Sequence, residues 1–225
     1  MGSFRGQLRA SSNESSSLSG FAGYSEKGYD PKMNTPAHIA ASLLVWRKQP
    51  GWKSTAAIAF GAALPDLPMF GFYIYQKVVG STEREIWSEL YFTDDWQLLF
   101  DIFNSIPVAI LAMAILVRLN RPILWLVAAS ALLHLLCDLP VHHDDAHRHF
   151  LPFTNWRFRS PISYWDPRFF GRQFAAIELL FAIGTSLYLL LRGEHVPMRI
   201  AGGVNLALYF FGLMLLGILW LQLTA

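Results

Sequence analysis

Four apolar stretches, residues 98–117, 122–141, 173–191 and 200–223, dominate this chain. Each is close to the ~20 residues that a helix needs to cross a bilayer. A further stretch, 54–79, is long enough but is interrupted by Pro65-Asp66-Leu67-Pro68. Residues 35–46 (TPAHIAASLLVW) read as a helix with Thr35 as N-cap and Pro36 at the first helical position, yet at ~18 Å it is too short to cross unaided. The fold predicted is all-α: a polytopic membrane bundle of about five transmembrane helices plus a half-helix. Composition agrees. Hydrophobic residues make up 53% of the chain and charged ones only 15%, against roughly 25% charged in soluble domains.

Residues 1–33 are rich in serine and glycine and carry no apolar h-region, so they read as a flexible N-terminal tail or an expression leader rather than a cleavable signal peptide. The folded, membrane-embedded domain is expected over 34–225, with an interfacial loop rich in His and Asp over 140–172. The formal net charge is +2 and the basic residues are scattered, so no nucleic-acid partner is expected. Short loops carry Arg47, Lys48, Lys53, Arg118, Arg121, Arg192 and Arg199, which favours the cytoplasmic side for them by the positive-inside rule, although the 142–172 loop weakens the bias with Arg148, Arg157, Arg159, Arg168 and Arg172. The acidic 83–95 loop and the 142–172 loop then lie opposite. The single cysteine, Cys137, excludes an intrachain disulfide and a cysteine-based zinc site.

Ionisable side chains inside apolar segments cost ~2.5–3.5 kcal/mol each and usually have partners. His134 and Asp138 stand four residues apart, on one helix face. Asp66 sits where two prolines loosen the helix, and His38 lies in the first turn of the half-helix. None can stay charged alone in hydrocarbon, and a divalent cation would offset them together. Imidazole and carboxylate without sulfur suit Zn²⁺, with Mn²⁺ or Fe²⁺ as alternatives. Asp101 and Glu178 stand apart and read as polar bundle contacts or helix-end charges.

Five of the seven histidines fall within residues 134–150, and HHDDAHRH follows directly on the helix break at Pro140. The plainer alternative for this segment is a wet loop with incidental histidines. Against it stand seven aromatics between Phe153 and Phe170, enough to pack as a cap at the interface. Arg157 and Arg159 alternate with aromatics and would share a face if extended, suiting a phosphate or carboxylate; snorkelling to lipid head groups is the competing reading.

The pieces NTPAHIAASLL, GAALPDLP, HLLCDLPVHH and LPFTNWRFRSPISYWDP resemble the bacterial inner-membrane metal-dependent hydrolases regulated by the SOS repressor. In outline they are also similar to the zinc-dependent phospholipase C and single-strand nuclease superfamily. The resemblance covers roughly residues 33–192. It implies a multi-pass protein of the bacterial inner membrane with an all-helical metal site that uses His38, Asp66, His134 and Asp138. His142, His143 and His147 would be further ligands, without a choice among them. One element departs: where the family carries a second His-rich motif, this chain has DIFNSIP, with Asn104 and Ser105 and no histidine.

The chemistry expected is metal-dependent hydrolysis of a phosphoester, with a lipid or lipid-linked substrate inferred from the interfacial position. Zn²⁺ brings the ionisation of water near neutral pH and polarises the oxygen it touches. Asp66 would orient the water and accept its proton. A second metal, held by His142, His143, Asp144 or His147, would brace the leaving oxygen, making Asp144 the second candidate catalytic carboxylate. Arg157 and Arg159 would hold the anionic group. The runner-up is a non-catalytic membrane subunit of a larger assembly, and a metal carrier ranks third, since only one broken segment is evident.

Overall fold

The computed structural model describes residues 35–224, with side chains through residue 212, and the expected tail over 1–33 lies outside the described residues. The described residues form an all-helical bundle. In chain order its helices are α1 (Thr35–Val45), α2 (Gly51–Ala63), α3 (Leu67–Val78), α4 (Glu83–Ser88), α5 (Asp94–Phe103), α6 (Ile106–Arg118), α7 (Pro122–Asp138), α8 (Gly171–Arg192) and α9 (Val196–Thr224).

Pro65 and Pro68 do not break the α2–α3 region apart. They tighten it into one 3₁₀ turn, Leu64–Asp66, and the whole of Gly51–Val78 remains a helical rod long and apolar enough to cross a membrane. Gly171–Arg192 is a second such helix. The pair α5 and α6 passes the same test jointly, but it is bent by 42° at Asn104-Ser105. Ser105, extended, caps α6 by accepting from the Val108 amide, and Pro107, which has no amide hydrogen, sits in the first turn where none is needed. The described residues thus hold two candidate spans, or three with the bent pair, rather than about five. Part of the difference lies in length. Helix α7 ends at Asp138, so its 17 residues rise ~26 Å against a hydrocarbon core of ~30 Å. Helix α1, at 11 residues, is the half-helix expected.

Three elements meet around the site. Helix α2 lies against α7 so closely that a Cβ on Gly61 would sit 2.2 Å from the Val127 carbonyl oxygen, a crossing open only to glycine. Helix α1 packs on both α2 and α8, and Leu43, Ile58, Leu126, Leu189 and Met198 form a shared apolar core. Asn205 of α9 donates to the Pro36 carbonyl and to Ser186 of α8, each at 3.0 Å, so the start of α1 is held from two sides.

The acidic stretch 83–95 is not plain loop. Thr82 and Glu85 form a reciprocal capping box that starts α4, and Ile86, Trp87 and Tyr91 pack with Phe72 and Phe100 into an aromatic cluster. After α7 the chain turns back on itself. Tyr164 donates its amide to the Val141 carbonyl and Ser160 its amide to His142, both at 2.9 Å, pinning the long loop under the end of α7.

Candidate metal centre

His134 shows how the site is built. Its Nδ1 lies 2.6 Å from the Ala62 carbonyl oxygen, which can only accept, so Nδ1 carries the hydrogen. In the neutral ring Nε2 then presents a lone pair. That lone pair lies 2.8 Å from Asp138 Oδ2 and 3.5 Å from Asp66 Oδ1, without the alignment a hydrogen bond requires. A lone pair facing two carboxylates is repulsive unless a proton or a metal cation lies among them. His38 adds a second imidazole, stacked on His134 with ring centroids 3.7 Å apart and its Nε2 3.0 Å from Asp138 Oδ1. Protonating both rings would place two cations face to face. One divalent ion avoids both conflicts.

One atom each from His38, His134 and Asp138 lies within 4.8 Å of the others, so among the described residues one His-His-Asp group could hold a metal ion. The donor set fits such an ion, since second-partner bonds of the Nδ1–H to carbonyl type are what orient ligating imidazoles. Asp66 stands beside the group, with Thr35 donating to its second oxygen.

A cavity of about 210 Å³ opens on this group. His142 lines it, with Nε2 3.7 Å from Asp138 Oδ1 and Nδ1 3.1 Å from Asp145 Oδ2. Burial opposes charge on His142, but Asp145 and Asp138 outweigh it and hold the ring well above its ordinary value. His147 also lines the cavity, its ring 5.6 Å from that of His142. The structure therefore gathers His38, Asp66, Asp138, His142 and His147 around one space, with the His134 ring stacked behind that of His38.

It leaves out four residues that the sequence nominates, His143, Asp144, Arg157 and Arg159. His143 turns away to stack on Phe169 at 3.7 Å, and Asp144 lies beside it near Arg168, because successive side chains of a turn diverge. Arg157 does not join Arg159 on a common face. Its guanidinium donates to Asp101 and to the Ala146 carbonyl, whereas Arg159 is exposed with no polar partner among the described residues. Asp101 is accordingly no incidental bundle contact. Fully buried, it accepts from the Arg148 amide at 2.9 Å, from the Arg148 Nε and from Arg157 Nη2 at 3.0 Å, and lies 3.5 Å from His147 Nδ1. Asp145, His149 and Glu178 were also missed. Glu178 lines the cavity from α8, and the signal for it was a lone carboxylate in an apolar span.

The chain matches no family model, and comparisons with curated proteins and with solved structures find no match either.

Proposed function

We propose that this chain is a membrane-embedded, metal-dependent hydrolase of phosphoesters, of the inner-membrane type its motifs resemble. The observation that carries the reading is Nε2 of His134 set against Asp138 and Asp66 with His38 stacked alongside. His38, His134 and Asp138 hold the ion, zinc being the best suited to this donor set, and Asp66 and His142 stand next to it. A bound Zn²⁺ supplies Lewis acidity and brings the ionisation of water within reach of neutral pH. Asp66, anchored through Thr35, accepts the proton of the attacking water at Oδ1. The water oxygen bonds to phosphorus, the bond from phosphorus to the leaving oxygen breaks, and that oxygen takes a proton from His142, oriented by Asp145.

Elemental analysis of the detergent-purified chain should find about one zinc or manganese per chain. His134→Ala and Asp138→Asn should lose both the metal and phosphodiester turnover. Retention of both by His134→Ala overturns the reading.

A second reading, a non-catalytic subunit with the same fold, draws on α6, none of whose side chains is buried. That face suits lipid or a neighbouring membrane subunit. Co-purification of other subunits at fixed stoichiometry, without metal-dependent turnover, would decide for it.

A further inference from the structure

The cavity has two unlike ends. At its polar end lie the residues of the metal centre, and there Val141, His142 and His147 are all buried, with Tyr164 beside them. The loop thus roofs this end against water. At the other end the walls are Ala37 and Ala41, one turn apart on α1, and Phe174, Ile177 and Phe181, a single stripe along the first half of α8. Ile177 is 65% exposed and Phe181 43%, so the side chains that line the cavity also form the outer surface. That surface belongs to a helix long and apolar enough to cross a membrane. Where this helix crosses a membrane, the wall it gives the cavity is also a lipid-facing surface.

We infer that the substrate is a phosphoester carried on an apolar chain, which enters sideways from the bilayer along the Phe174–Ile177–Phe181 stripe and brings its polar group to the metal centre. The inference rests on the hydrolase reading for its chemistry and on the cavity for its chain. Ala37 and Ala41 set the room for the chain, since their short side chains leave the space between α1 and the α8 stripe unfilled.

The test uses the full chain in lipid nanodiscs, loaded with zinc, and two non-hydrolysable probes, ethylphosphonate and dodecylphosphonate. Each methylene buried is worth ~0.8 kcal/mol, so two give roughly tenfold in affinity. Calorimetry should show dodecylphosphonate binding at least tenfold more tightly. Ala41→Phe, which fills the apolar end, should cut that preference at least tenfold. Ile177→Asn, at an exposed position that leaves folding intact, should cut it at least threefold. Partition of the probe into the nanodisc is common to all three proteins, so the difference between them reports the cavity. Equal preference in wild type and both variants overturns the inference.

Turnover of ethyl and dodecyl p-nitrophenyl phosphate separates the two readings. Turnover of both esters without chain preference overturns the chain inference and leaves the hydrolase standing. Chain-dependent probe binding with turnover of neither ester sustains the assignment of the cavity and overturns the hydrolase.

Discussion

His134, His143 and His149 each present Nδ1 to a backbone carbonyl, those of Ala62, Ser160 and Asn104. Such bonds fix the tautomer and aim Nε2; for His134 that nitrogen faces two carboxylates within ion-pair range, for His143 that of Asp144 at 3.6 Å. His149 is instead a structural residue. It is 1% exposed, its carbonyl accepts from the Ile106 amide at 2.9 Å, and its ring docks on Asn104. Burial, with His147 beside it, pushes its imidazole down to about 4 from the ordinary 6.5. The unfolded chain then binds the extra proton first, so stability falls as pH drops from 6.5 toward 4. At pH 5 the loss is about 2 kcal/mol. Melting of the solubilised protein at pH 7 and pH 5 checks this against His149→Gln, which has no titrating ring and should lose several degrees less on acidification.

Local spacing made half of the site legible. His134 and Asp138 share a face because of the helical period, and Asp66 announces itself between two prolines. What the chain order conceals is which loop side chains turn inward. His142 and His147 reach the cavity while His143 and Asp144, between them, do not, a choice made by Phe169, Ser160 and Arg168 further along the chain. Helix existence was equally readable from the apolar runs, but the bend at Asn104-Ser105 was not, because it depends on what docks there. Gly61 matters at the same scale. It lets α2 approach α7, and its neighbour Ala62 holds the His134 ring. Gly61→Ala should force the helices apart at a cost of about 1–3 kcal/mol. Because that shift moves the Ala62 carbonyl, it should also weaken zinc binding ~10–100-fold, the usual effect of disturbing a ligand's own support. A competition assay with a zinc chelator reads this. Unchanged affinity in a destabilised variant would show that the Ala62 bond does not orient the ligand.

Across the whole molecule the site exists because a loop from the end of α7 folds back onto the bend between α5 and α6. Asp101, Asn104, Ser105 and Ile106 on the bend take up Arg148, His149 and Leu151 on the loop. The segment DIFNSIP is thus the dock on which the His-rich loop is seated. Asp101 is its centre, a buried carboxylate matched by two guanidiniums and in reach of the cavity-lining His147. Removing one partner of a buried ion pair leaves the other charges uncompensated, and Asp101→Asn should cost roughly 3 kcal/mol, at the low end for such pairs because both arginines reach solvent in part. The loop should then detach before the bundle melts, since the apolar core does not involve Asp101. Limited trypsin digestion in detergent distinguishes the two events. Arg159 is exposed in the native chain and should be cut in either protein, whereas cleavage after Arg148 and Arg157 should rise at least tenfold in Asp101→Asn. Phosphodiester turnover should fall with it, because His142 and His147 travel with the loop. If those two sites stay protected while turnover is lost, Asp101 acts on the site through His147 alone and the dock is held by its backbone bonds.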